Sequence, residues 1–90
     1  MSYEVTYTTK ARKNLKKLPE EIARNIIYSI DELRHNPYYS VKKISGTGKH
    51  SIYSHRVGQY RVILTIENNE MVIMVLELGD RKHIYRKYQS

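Results

Sequence analysis

The ninety-residue chain has no cysteine, no phenylalanine and no tryptophan, with only two prolines and four glycines. Without cysteine there is no disulfide framework and no thiolate metal site. That suits a reducing compartment, and a cytoplasmic location is expected. Lacking the other two aromatics, the chain carries nine tyrosines instead. A tyrosine ring can fill a core, stack on a base or transfer a proton. No apolar run approaches the ~20 residues of a membrane-spanning helix, so no membrane partner is expected. Met1-Ser2-Tyr3-Glu4 does not read as the start of a secretory signal. Repeats and low-complexity stretches are missing, and the length fits a single domain over residues 1–90. The carboxylates are scattered, without the spacing of a metal site, and no cofactor is expected.

Acids are scarce too. Nine Asp and Glu stand against sixteen Lys and Arg, a net charge of +7. From Leu33 to Ile66 there is no acid, but there are Arg34, Lys42, Lys43, Lys49, Arg56 and Arg61. After Asp80 the chain is basic again, with Arg81, Lys82, Arg86 and Lys87. Such a surface attracts polyanions and steers their approach. Nucleic acid is the obvious partner, and an acidic protein is the other.

In chain order, Tyr3 to Tyr7 alternates and is rich in β-formers, which predicts a strand. Thr8 or Thr9 can cap the helix that follows. Ala11, Leu15 and Leu18 make its apolar stripe, and Lys10, Arg12, Lys13, Lys16 and Lys17 its solvated face. Pro19 ends that helix and can begin a second, with Glu20 and Glu21 opposing its dipole. Ile22, Ile26, Ile27, Ile30 and Leu33 fall at helical spacing and read as core. Asn36-Pro37 stops the run. Tyr38 to His50 reads as a loop. Its Gly46-Thr47-Gly48-Lys49 lacks the flanking strand and helix of a phosphate-binding loop.

The informative stretch is Ser54 to Ile66. Gly58-Gln59 fits a two-residue type II′ turn between two strands. Val57 then pairs with Tyr60, and Arg56 faces Arg61 across the ladder. Like charges in that position destabilise a sheet unless an anion meets them. Guanidinium groups fork onto phosphate. Tyr60, Val62, Leu64 and Ile66 point to the other face and should cover the core. Asn68-Asn69 reads as a second two-residue turn, of type I′. It sets Leu76 beside Arg61, Ile63 beside Met74 and Thr65 beside Val72, a partly greasy arginine face. Gly79 should break the last strand and turn Arg81 toward that face, with Tyr85 in reach.

On these residues the chain resembles the RelE/ParE superfamily of toxin–antitoxin toxins, most closely its RelE side. The matching pieces are Ala11 to Pro19, Arg56-Val57-Gly58-Gln59-Tyr60-Arg61-Val62, and Val75 to Tyr85 with its Gly79-Asp80-Arg81 and Tyr85. The resemblance implies an α+β microbial RNase fold. An N-terminal strand and a two-helix hairpin pack on one face of a twisted antiparallel sheet, and the cleft lies on the other. It also implies an endoribonuclease that cleaves mRNA, commonly in the ribosomal A site, and a cognate antitoxin that neutralises it. Operator DNA would be reached only through that antitoxin.

By the same resemblance Arg61 contacts the scissile phosphate, Arg81 stabilises the transition state, and Tyr85 orients the nucleophile or moves a proton. Best-known members carry two lysines on the strand before the arginine turn, where this chain has Ile52 and Ser54. Other members use a histidine near the final tyrosine, a place His83 could fill. Arg56, Lys42, Lys43, Lys49 and His55 complete the expected RNA-binding set.

Metal-independent cleavage needs a base for the 2′-hydroxyl, cations for the phosphorane and an acid for the 5′ oxygen. Histidine, with an unperturbed pKa of ~6.5, suits neutral pH better than tyrosine at ~10. Nearby arginines would lower the tyrosine value. Tyr85 or His83 is therefore the expected proton-transfer group. Two other functions are compatible with a basic face: a non-catalytic nucleic-acid or ribosome-binding module, and a ParE-like inhibitor of DNA gyrase. The gyrase branch lacks the Arg61, Arg81 and Tyr85 set.

Overall fold

The computed structural model describes residues 2–48 and 51–88. Its elements are β1 (Glu4–Tyr7), α1 (Thr9–Lys16), α2 (Glu20–Glu32), β2 (Val41–Ser45), β3 (Ile52–Val57), β4 (Tyr60–Glu67), β5 (Val72–Asp80) and α3 (Arg81–Tyr88). The five strands form one sheet in the order β1-β5-β4-β3-β2. β2 to β5 are antiparallel, and β1 joins β5 in parallel, so the sheet is mixed. No helix of the described residues is long and apolar enough to cross a membrane.

Thr8 caps α1. Its hydroxyl accepts from the Ala11 N–H at 3.0 Å and donates to the Leu76 carbonyl at 2.6 Å, binding the helix start to β5. Further along α1, the Asn14 side chain accepts from the Leu78 N–H. α1 and α2 lie on one sheet face. Ala11, Ile26, Ile30 and Leu33 pack there on Val62, Leu64, Ile66, Ile73, Val75 and Leu78. Ile27, expected in this core, is 45% exposed instead. The apolar stripe of α2 is narrower than its run of isoleucines suggests, because Ile26 and Ile30 already fill the contact line.

Three expectations are corrected. The stretch 38–50 is not all loop, since it contains β2, paired to β3 with a register shift between Lys43 and Ser45. The β4–β5 connection is not a two-residue turn at Asn68-Asn69. Glu67 pairs with Val72, leaving a four-residue loop that closes with Met71 at φ 57°. Gly79 does not break the last strand: it pairs with Arg61 inside β5, which runs to Asp80, and the chain turns there into a helix that lies on the arginine face. Ile84 is buried there, its side chain within 3.6 Å of where a Cβ on Gly79 would sit.

The longer loop and a β-bulge together reset the last strand. Leu64 pairs with Val75 and Ile63 with Glu77, so β5 has an extra residue at Leu76. The partner of Arg61 is accordingly Gly79, not Leu76, and Thr65 meets Met74. A bulge shifts the alternation of side chains by one. Val75 and Leu78 therefore both reach the helix-side core, and Glu77 is turned to the opposite face.

Candidate active site

The arginine hairpin forms as its turn chemistry dictates. Gly58 has φ 59° while Gln59 has no positive φ, as a type II′ turn requires. Val57 pairs with Tyr60 and Arg56 with Arg61. Arg56 is exposed, and its Nε donates to the Gly58 carbonyl at 3.2 Å. Arg61 is half-buried. One terminal nitrogen donates to Ser54 Oγ at 3.2 Å, and its Nε is buried with no partner among the described residues. A buried cationic donor left unpaired is costly and is a place where an anion belongs.

α3 completes the site from the other side. Asp80 caps it, accepting from the Lys82 N–H at 2.9 Å. The Arg81 N–H donates to the Gln59 carbonyl at 2.7 Å, which stitches the helix start to the arginine turn. Two clefts result. The wide one, about 700 Å³, is lined by Gln59, Asp80, Arg81, Lys82, Tyr85 and Arg86. The narrow one, about 100 Å³, is lined by Lys42, Ser54, Arg61 and Ile63 below, with Ile84, Tyr85 and Tyr88 above. Tyr85 is 56% exposed and borders both. It stands between the Arg61 side and the Arg81 side.

The other expected residues divide. Lys42 pairs with Ser54 and lies on the arginine face, but Lys43 pairs with Tyr53 and so falls on the opposite one. His83 is exposed and borders neither cleft. Lys49 lies outside the described residues. His55 is corrected outright. Between Ser54 and Arg56 it must point to the helix side, where it is 4% exposed. Its Nδ1 donates to the Ser40 carbonyl at 2.9 Å, and its Nε2 accepts from the Ser29 hydroxyl at 2.7 Å. It is a satisfied buried histidine. No group of three or more His, Asp and Glu able to hold a metal is present among the described residues.

Ser54 lies on the arginine face, opposite Ile63, as its register requires. Gln59, Lys82 and Arg86 line the site without having been expected there, and Glu77, also unexpected, holds the end of α3 beside it. This carboxylate is 6% exposed. It accepts from the Lys87 amine at 3.0 Å and from the Tyr88 hydroxyl, and pairs with Lys10 of α1 at 3.2 Å. Burial alone would raise its pKa, but the Tyr88 hydroxyl and the two amines outweigh it and hold the carboxyl below its ordinary value. Burial, then the hydrogen bond to Glu77, pushes Tyr88 up to about 12.

The chain matches the family described as ParE toxin of the type II toxin–antitoxin system over residues 5–85. Among characterised relatives it is 30% identical to toxin RelG of Mycobacterium tuberculosis, across 97% of this chain and 100% of that one. It is 28% identical to toxin RelE of the same organism, across 93% and 87%. Among solved structures it resembles the archaeal RelE–RelB complex from Pyrococcus horikoshii, with a TM-score of 0.79 and 33% identity over 90% of this chain and 97% of that one. It also resembles the RelBE2 toxin–antitoxin complex of M. tuberculosis, with a TM-score of 0.76 and 26% identity over 90% and 100%. By the extent of these matches, the chain belongs to the RelE/ParE superfamily of type II toxin–antitoxin toxins.

Proposed function

We propose that this toxin is a metal-independent endoribonuclease that cuts mRNA, in the ribosomal A site, and so arrests translation. One observation carries the reading. Arg56 and Arg61 face each other on the ladder, and the buried Nε of Arg61 has no partner among the described residues. The sheet keeps a repulsive pair and an unpaired cation beside a cleft that Arg81, Lys82 and Arg86 line. A phosphate relieves all of these at once.

In this reading the RNA strand lies along the wide cleft with its scissile phosphate at the Tyr85 wall. Arg61 on one side and Arg81 on the other meet the charge that grows on the phosphorane. Tyr85, acting as its phenolate, takes the proton of the attacking 2′-hydroxyl and becomes the phenol. The hydroxyl oxygen bonds to phosphorus, the bond to the 5′ oxygen breaks, and that oxygen takes a proton from solvent water. The products are a 2′,3′-cyclic phosphate and a 5′-hydroxyl. His83, whose ring lies 3.9 Å from where a Cβ on Gly79 would sit, is the alternative proton-transfer group. The partner in the cell is a cognate antitoxin, as in the RelE–RelB and RelBE2 complexes. Here its acidic residues would meet Arg56 and Arg61, and the antitoxin would carry any contact to operator DNA.

The test is primer extension on a reporter mRNA during translation in vitro, with free RNA in parallel. Cuts within codons are expected for the wild type. Arg81→Ala and Arg61→Ala should each cut about 10²–10³-fold more slowly, the usual loss for one preorganised charge-stabilising donor. Translation arrest without cuts would overturn the nuclease reading. The match to a ParE description favours a second reading, inhibition of DNA gyrase. A supercoiling assay separates the two.

A further inference from the structure

α3 carries Arg81 and Tyr85, yet it is held by few contacts. It is eight residues long, a length at which an isolated helix does not persist in water. Ile84 is its one buried residue. Its first turn is fixed by the Asp80 cap and by the Arg81 N–H on the Gln59 carbonyl. The polar contacts of its last turn converge on one group. Lys87 and Tyr88 both donate to Glu77, which Lys10 reaches from α1. Glu77 points at α3 because the bulge at Leu76 turned it there.

We propose that Glu77 is a positioning residue for Tyr85. Tyr88 lies one helical turn beyond Tyr85, and both border the narrow cleft above Arg61. Clamping Tyr88 and Lys87 on Glu77 sets the tilt of the helix and thereby the height of the Tyr85 hydroxyl over the arginine. Arg81 is anchored independently, by the turn. Losing the clamp therefore moves the tyrosine and leaves the first arginine of the helix in place. The catalytic part of this inference rests on the nuclease reading above; the geometric part does not.

The test has two arms. In single-turnover cleavage, Glu77→Ala should lower the rate by up to about 10²-fold, the scale of a 1 Å misplacement, with KM nearly unchanged. Glu77→Gln, which keeps an oxygen acceptor for Tyr88, should recover part of the rate, and Tyr88→Phe should lose part. In a Tyr85→Phe background Glu77→Ala should cost nothing further, whereas in an Arg81→Ala background its cost should multiply. The second arm is ¹⁹F NMR of protein labelled with 3-fluorotyrosine, the Tyr85 signal assigned by its loss in Tyr85→Phe. That signal should shift in Glu77→Ala and Tyr88→Phe. An unmoved Tyr85 signal overturns the clamp, and so do independent, multiplying effects of Glu77→Ala and Tyr85→Phe. If the wild type cuts no RNA, the nuclease reading falls and the ¹⁹F arm alone decides the clamp. Should Glu77→Ala not fold, Glu77→Gln and Tyr88→Phe carry both arms.

Discussion

Single residues here act through backbone angle and side-chain direction. Gly58 sits at φ 59°, and a Cβ added there would meet nothing within 4 Å. The cost of Gly58→Ala is therefore conformational alone, about 1–2 kcal/mol for an L-residue in the left-handed region. Urea denaturation should show that loss. Cleavage should fall as well, because the turn holds the Gln59 carbonyl against Arg81. The facing of Arg56 and Arg61 was legible in the sequence because one glycine at one turn position fixes a register. The same alternation assigns His55 to the opposite face, where it is found, though composition alone made it look like part of a basic set. Glu77 was illegible as a site residue. Its direction depends on a bulge, and no spacing in Val75-Leu76-Glu77-Leu78 announces an extra residue.

At the level of elements, the two-helix hairpin and the central strands follow from periodicity. β2 and α3 do not. Val41-Lys42-Lys43-Ile44-Ser45 has too few apolar positions to stand out from a loop, and its pairing with β3 supplies what its side chains lack. α3 buries Ile84 alone and is basic throughout, so its helical signal is confined to Asp80 as cap and the Ile84–Tyr88 spacing. The clamp makes the attachment of α3 depend on pH. The Glu77 carboxyl is held below its ordinary 4.5, so its stabilisation is present above that pH and is lost as pH falls through the lower folded value. Tyr88 is raised from 10 to about 12, so its contribution holds below pH 10 and fades as pH rises toward 12. Thermal melts should show the difference in Tm between wild type and Glu77→Gln shrinking as pH drops below about 4.5. The difference between wild type and Tyr88→Phe should shrink on the alkaline side instead. A difference that stays constant across the acid range would mean that the carboxylate charge is not what holds the helix end.

For the molecule as a whole, the charge of +7 governs encounter. Binding of an uncleavable single-stranded RNA should weaken linearly in a plot of log affinity against log salt. Each phosphate contact contributes about 0.7 to the slope, so Arg56→Ala should lower the slope by about that amount. Fluorescence anisotropy across a salt series measures it, and an unchanged slope would place Arg56 off the RNA path. The order of the strands has a consequence of another kind. β1 lies at one edge of the sheet with β5 as its partner, and Glu4 pairs with Val72. The helices between them pack on a surface that β5 helps to build. A chain emerging from the ribosome thus exposes its first strand and both helices without the strand they need, and pairing so distant in sequence is slow to close. The fold can be sealed only once β5 has been made, and Arg81 and Tyr85 follow directly on the strand that seals it. The core and the helix that carries these two side chains therefore form together, late relative to the first strand and the helix pair.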